Sequence, residues 1–462
     1  MSEKIIIDPL TRISGFLEIQ VEVENNRVVN AYSLGLLYRG FENMLIGRFP
    51  LDAIYFTERI CGICSVAHSV ASAMAIEQAL NIEVPLNDYY LREIIHGLEY
   101  VQNHLRHFYL MMVPSFARIT SLPLVSNQQY TDFRLSDADN AIIEDHYIGG
   151  VEYSRMSHEA QAVFGGKAPH NHGVFAGGTS TSPNAYNIEK VRALIKRLLN
   201  FVSTSMREDT DIIAAYYPEY FDMGVGYQNF MSYGVFDHDE PEIAYVQPGI
   251  MIDQTRYAFE PGRITEQAGH SWYKENVTPD EVDMTKAGAY TFIKTPRYEG
   301  MPMEVGPLAR MLLSGDYNGG TSCMDRIVAR TLETEKVLRI LSNLIDRIEL
   351  LPNSQQPWVI PASARGAGYI DTTRGALSHS INIENQVIGS YNIITPSMWN
   401  LSPKDNEGNP GVIEKALIDT ELRDSSNPVE IGRIVRSFDP CVSCATHVHD
   451  TSGNHALIRL LV

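Results

Sequence analysis

Glu58-Arg59-Ile60-Cys61-Gly62-Ile63-Cys64-Ser65-Val66-Ala67-His68 and Phe438-Asp439-Pro440-Cys441-Val442-Ser443-Cys444-Ala445-Thr446-His447 carry four of the five cysteines, as two CxxC pairs each followed by a histidine. A CxxC on a helix or at its start puts both sulfurs on one face, close enough to grip one metal ion, so two pairs make a four-thiolate site. The pairs stand 441 − 64 = 377 positions apart. Zinc ribbons and fingers usually bring their pairs together within tens of residues, whereas this site would tie the two ends of the chain together in the fold's interior. Four thiolates suit structural zinc, and soft thiolates equally hold nickel or iron. The residues alone leave the metal open, with the spacing arguing against zinc.

Outward from these pairs the chain reads as one folded unit. Its 462 residues, 44% hydrophobic and 20% charged, are enough to bury a large core, and no linker, repeat or low-complexity tract divides them. Phe16 to Val23 alternates apolar and polar residues, Asn25-Asn26 makes a turn, and Val28 to Ala31 returns, which predicts a hairpin. Helical stripes follow: Ile94, Ile95, Leu98, Val101, Leu105 and Phe108 up to Pro114; Ile188, Val191, Leu194, Ile195, Leu198, Leu199 and Val202; and Val337, Leu338, Leu341, Leu344, Ile345 and Ile348 before Pro352. Residues 205–310, rich in Tyr, Gly, Pro and acids, read as short strands and loops outside the helices. The expected class is mainly α with peripheral β, an α+β fold with a long-helix bundle core.

The formal charge of −19, without a polybasic run, disfavours nucleic acid and anionic membrane as partners. No 18-residue apolar stretch appears, and Met1 to Pro9 lacks a secretion signal, so a partner would have to carry the protein out of the cytoplasm or to a membrane. Five cysteines are too few for a disulfide scaffold. Cys323 reads as a small buried residue, and His104 and His107, inside an apolar stripe, as hydrogen-bonded core residues rather than a metal pair.

The strings RICGICSVAH and DPCVSCATH resemble the two nickel-binding motifs of [NiFe]-hydrogenase large subunits. Asp8-Pro9-Leu10-Thr11-Arg12-Ile13, Arg39-Gly40-Phe41-Glu42, Arg374-Gly375-Ala376-Leu377 and Pro396-Ser397-Met398-Trp399-Asn400 agree in order and position, so the resemblance spans residues 5 to 447. It is strongest to the uptake or membrane-associated class. It implies the [NiFe]-hydrogenase large-subunit fold and reversible heterolytic cleavage of hydrogen, with Cys61, Cys64, Cys441 and Cys444 binding nickel. Cys64 and Cys444 would also bridge to an iron carrying two cyanides and one carbon monoxide. Arg374 would sit above the open metal face, Asp439 would orient it, and Cys441 would take the proton. Ser397 would hydrogen-bond a cyanide, and His68 and Leu377 would lie against the cofactor. Glu42, His447 and the carbonyl of Ile393 would hold magnesium.

The resemblance further implies a domain over residues 1–447 and a maturation extension over 448–462, removed by a protease after His447. With no spare set of cysteines for iron–sulfur clusters on this chain, a cluster-bearing small subunit must take the electrons, with a membrane cytochrome or quinone-linked protein as a further candidate partner. The small subunit's signal would place the complex at the membrane or its extracytoplasmic face, a cytoplasmic complex being the alternative. Rival readings are a regulatory hydrogen sensor on the same fold, a respiratory-complex quinone-site relative and a zinc-stabilised structural protein. Three positions depart from the family: Ser14 where relatives carry a proton-relaying Glu, Asn103 where Asp is frequent, and Thr373 where Pro precedes the arginine. With serine at position 14, another carboxylate or a water chain must carry the proton.

Overall fold

The computed structural model describes residues 3–122, 132–274, 280–352 and 357–442. The hairpin forms as expected. Strand β1 (Glu3–Ile7) pairs antiparallel with β2 (Leu17–Glu24), and β2 with β3 (Arg27–Gly35). Asn25 and Asn26, at φ of 50° and 60°, make the left-handed turn that asparagine tolerates. Leu17, Ile19, Val21 and Val23 point into the core, the period-2 face seen in the sequence.

The expected helical stripes are all helices, within a larger set: α1 (Ser65–Leu80), α2 (Leu86–Arg106), α3 (Asp137–Gly165), α4 (Ala185–Phe201), α5 (Arg207–Tyr216), α6 (Pro307–Ser314), α7 (Cys323–Ile345) and α8 (Val429–Ser437). Helices α2, α3, α4 and α7 pack in a ring, each against two of the others. Past Arg106, α2 widens into a π-helical turn, His107–Met112, and closes in a tight turn containing Pro114, where the missing N–H ends the ladder. Ser322 and Asp325 form a reciprocal capping box that starts α7. No described helix is long and apolar enough to cross a membrane.

Five of these helices, α1, α3, α5, α6 and α8, lie outside the expected stripes, and two of them show why periodicity missed them. The 29 residues of α3 bury Asn140, Gly150, Ser154, Ser157, Ala160 and Gln161 among Ile143, Tyr147, Met156 and Phe164, so small and polar residues break up the apolar stripe on its buried face. The expectation of strands and loops from 205 fails over α5, whose buried Asp209 accepts hydrogen bonds from Tyr109 and His146 in place of apolar contact. From Asn229 to Tyr298 the short strands do appear, as one three-stranded antiparallel sheet and one antiparallel pair.

A third sheet, β4 (Ser363–Thr372), β5 (Gly375–Glu384) and β6 (Val387–Ile394), is an antiparallel meander laid on α1. Contact is backbone to backbone: a Cβ on Gly368 would lie 2.2 Å from the Ala71 carbonyl oxygen. The small-residue face of α1 and this glycine bring the β4–β5 turn, Thr373-Arg374, toward the end of α1 that begins at Cys64.

Candidate metal centre

Cys61 leaves a single tight turn, Glu58–Ile60, in extended conformation, and Cys64 is the N-cap of α1. The loop folds around the first sulfur, which accepts the N–H groups of Ile63 at 3.3 Å and Cys64 at 3.4 Å. Cys441 arrives from the other end of the chain by bridging the segment at Ser14: Ser14 donates to the Pro440 carbonyl at 3.2 Å, and Val442 to the Ser14 carbonyl at 2.7 Å. The Sγ atoms of Cys61 and Cys441 end 3.5 Å apart, both cysteines buried. That is far beyond a disulfide bond of about 2.05 Å and close enough to share one soft ion at about 2.3 Å from each. The donor set therefore fits nickel, as it would fit another thiophilic metal. Cys444 and His447 lie outside the described residues, and the described ones gather no cluster of three or more His, Cys, Asp and Glu.

Arg374 is 2% exposed, not the solvated loop residue its position before a glycine would otherwise imply. Its Nε donates to the Asp439 carbonyl, and its Nη2 to Asp439 Oδ1 and Asn103 Oδ1, all at 2.9 Å. Asn103 closes the cage by donating to Asp439 Oδ2 at 2.8 Å. Burial opposes the guanidinium charge, but Asp439 and then the sulfurs of Cys441, Cys64 and Cys61 outweigh it and hold Arg374 protonated. Burial likewise opposes the Asp439 carboxylate, which Arg374, His107 and Arg330 keep ionised. Gly375 must be glycine: at φ 120°, its Cβ would stand 2.5 Å from the Gly306 nitrogen.

Ser397 Oγ accepts the Cys441 N–H at 3.1 Å, and the Ser14 hydroxyl lies 3.5 Å from the Cys441 sulfur. His68 Nδ1 meets His379 Nε2 at 3.0 Å, and His379 Nδ1 meets the Tyr391 hydroxyl at 2.8 Å. Burial lowers the His68 pKa to about 4, against the pull of Cys441, so the ring is neutral at pH 7. Leu377, opposite Ile370 on β4, lies in the apolar cluster that contains Cys61, Cys64 and Cys441. His379 was missed by sequence reasoning; its only signal was a place five residues after Arg374.

Glu42 Oε1 accepts the N–H of Ile393 at 2.8 Å. Burial raises its pKa to about 7, with Lys294 lowering it and Asp280 and Glu266 raising it further. Glu266 Oε1 is buried without a hydrogen-bond partner. Such a surplus of carboxylates over one lysine fits a hard divalent cation. His104 bonds Glu333 and His107 the Arg436 carbonyl, each at 2.7 Å, and Cys323 is buried with its thiol pushed up to about 11, so all three are core residues as expected.

The nickel-dependent hydrogenase family model matches residues 39–123, 113–339 and 317–447. The periplasmic [NiFeSe] hydrogenase large subunit of Desulfomicrobium baculatum is 33% identical over 99% of this chain and 97% of its own. The quinone-reactive Ni/Fe-hydrogenase large chain of Wolinella succinogenes is 30% identical over 98% and 97%. A solved structure of the Dm. baculatum [NiFeSe]-hydrogenase superposes with a TM-score of 0.92 at 33% identity, covering 97% of this chain and 100% of that one. Matches of this length and identity, on a chain whose buried cysteines converge beside a caged arginine, show that the protein belongs to the nickel-dependent hydrogenase family and is a catalytic large subunit acting on hydrogen.

Proposed function

We propose that Cys61, Cys64, Cys441 and Cys444 would hold the nickel, that Cys64 and Cys444 would also hold an iron carrying two cyanides and one carbon monoxide, and that Arg374 would face the reacting hydrogen. The observation that carries this reading is the cage that fixes a buried guanidinium among three cysteine sulfurs. The metal pair supplies the Lewis acidity that so weak an acid as hydrogen needs. The chain does the rest: Arg374 polarises the bound molecule, Asp439 and Asn103 hold Arg374 in place, and the Cys441 sulfur takes the proton. Ser397, already accepting the Cys441 N–H, keeps its own hydroxyl proton to donate to a cyanide. His68 and Leu377 border the cofactor. Glu42, the Ile393 carbonyl and His447 hold magnesium, a role supported by the three carboxyls, Glu42, Asp280 and Glu266, that share the single Lys294.

The catalytic domain is residues 1–447, and 448–462 is an extension cut off after His447 by a maturation protease; the family match also stops at 447. Mass spectrometry of active enzyme is expected to find His447 at the C-terminus, and an intact Val462 there would refute the cleavage. Electrons leave through an iron–sulfur small subunit, because the one cysteine that remains here, Cys323, is too few to hold a cluster. The relatives named quinone-reactive and periplasmic support a quinone-linked or cytochrome partner and an extracytoplasmic site reached through the small subunit's signal. The direct test is hydrogen-dependent reduction of an artificial electron acceptor by the purified complex. Activity in the native complex and its loss in Cys441→Ser are expected; an active Cys441→Ser complex would remove Cys441 from the chemistry.

A further inference from the structure

Protons formed beside Cys441 start in the interior, and the Ser14 hydroxyl, 3.5 Å from its sulfur, passes a proton without being able to store one. Two buried carboxyls stand outside the cage, both tied to the first turn of α1. Glu99, 1% exposed, sits on α2 one turn before Asn103, the residue that touches Arg374 and Asp439. Its two oxygens accept the N–H groups of Val66 at 2.7 Å and Ala67 at 3.0 Å, in the first turn of the helix that begins at Cys64. Glu58 is equally buried and is tied to the same turn: Asn171 Nδ2 donates to Glu58 Oε1 and to Ser69 Oγ, both at 2.9 Å, and Ser69 donates to the Val66 carbonyl. On its outer side Glu58 pairs at 2.8 Å with Arg59, whose side chain is 43% exposed.

We propose that Glu99 and then Glu58 carry protons between the cysteine cluster and the surface at Arg59. The plain alternative is that Glu99 is only a helix cap. A cap works best as an anion near water, whereas Glu99 is buried and feels the charge of a second buried carboxyl, Glu58. Burial raises the pKa of each to about 8; Glu58 and Arg374 are the charges acting on Glu99, and Arg59 and Lys167 those acting on Glu58. Groups in that range gain and lose protons readily near neutral pH. In hydrogen oxidation one H2 gives two protons and two electrons. The electrons leave through the iron–sulfur partner. Each proton forms an O–H bond on Glu99, which breaks as the proton passes to Glu58 and then to water, leaving both carboxyls as they began.

The proposal rests on the reading that hydrogen reacts beside Cys441 and Arg374. Its test uses the complete metal-loaded complex carrying Glu99→Gln, Glu99→Asp or Glu58→Gln. Nickel content, hydrogen oxidation across pH, deuterium exchange between D2 and water, and the infrared band of protonated carboxyl groups are measured. Glu99→Gln is expected to keep its nickel, lose one carboxylic-acid band and slow oxidation and exchange about 100-fold, with partial recovery in Glu99→Asp. Nickel-loaded Glu99→Gln with native rates at every pH would overturn the relay. If Glu99→Gln does not load nickel, Glu58→Gln decides, since it leaves the Val66 and Ala67 bonds intact: native rates refute the relay, and a loss of about tenfold or more supports it. An inactive native complex would instead refute the underlying site reading.

Discussion

Replacing Arg374 by lysine is expected to lower hydrogen oxidation by about 100-fold or more while the complex keeps its nickel, because a fixed, preorganised charge at a reacting centre is worth about that much. Lysine keeps the charge but not the fork. Arg374 uses Nε on the Asp439 carbonyl and Nη2 on both the Asp439 carboxylate and Asn103, so three bonds at 2.9 Å set its orientation. A lysine ammonium is a flexible point charge that cannot repeat that pattern. Asp439→Asn tests the same cage from its other side: it keeps the shape but removes the largest favourable charge on Arg374. Rate and metal content are read together, and a nickel-loaded Arg374→Lys complex with native turnover would show that the guanidinium only fills space.

The second large effect is on stability. Glu333→Gln is expected to cost about 3–5 kcal/mol, the usual penalty for breaking a buried ion pair on one side. Arg310 grips Glu333 through Nε at 2.6 Å and Nη2 at 2.8 Å, and its Nη1 reaches Asp371 at 3.1 Å, with all three side chains fully buried. Glu333 also accepts Tyr245 and His104. The same guanidinium bonds the carbonyls of Thr372 at 2.8 Å and Thr373 at 3.2 Å, so it anchors the turn that presents Arg374. Burial opposes the Glu333 charge, but Arg310 and then His104 prevail and depress its pKa below the usual carboxylate range. Its stabilisation is therefore complete above that range and fades as pH falls below it. Thermal unfolding of the native and Glu333→Gln complexes measures both points: the gap between them should be widest at neutral pH and shrink in acid. Equal transitions at neutral pH would mean the network contributes nothing net.

This network also shows where sequence reading stopped. The cysteine pairs were legible because their chemistry lies in residue type and spacing, and the β2–β3 hairpin and three helical stripes because apolar periodicity reports a buried face directly. Arg374 and Asp439 were found only through their motifs, since nothing in composition separates a caged arginine from a solvated one. Arg310, Glu333, Asp371 and Glu99 gave no signal at all: a charged residue on a helix or strand reads as surface until tertiary contacts place it inside. Helix α3 was hidden by the reverse effect, small and polar residues standing on its buried face. The meander β4–β6 escaped because its contact with α1 depends on what glycine lacks rather than on an apolar side chain.

The most direct test of the central claim is metal analysis of the purified complex together with its infrared spectrum in the carbon monoxide and cyanide stretching region. The account predicts one nickel and one iron per chain beyond the partner's clusters, with both sets of diatomic bands present. Zinc in the cysteine site of mature protein, with no such bands, would contradict it.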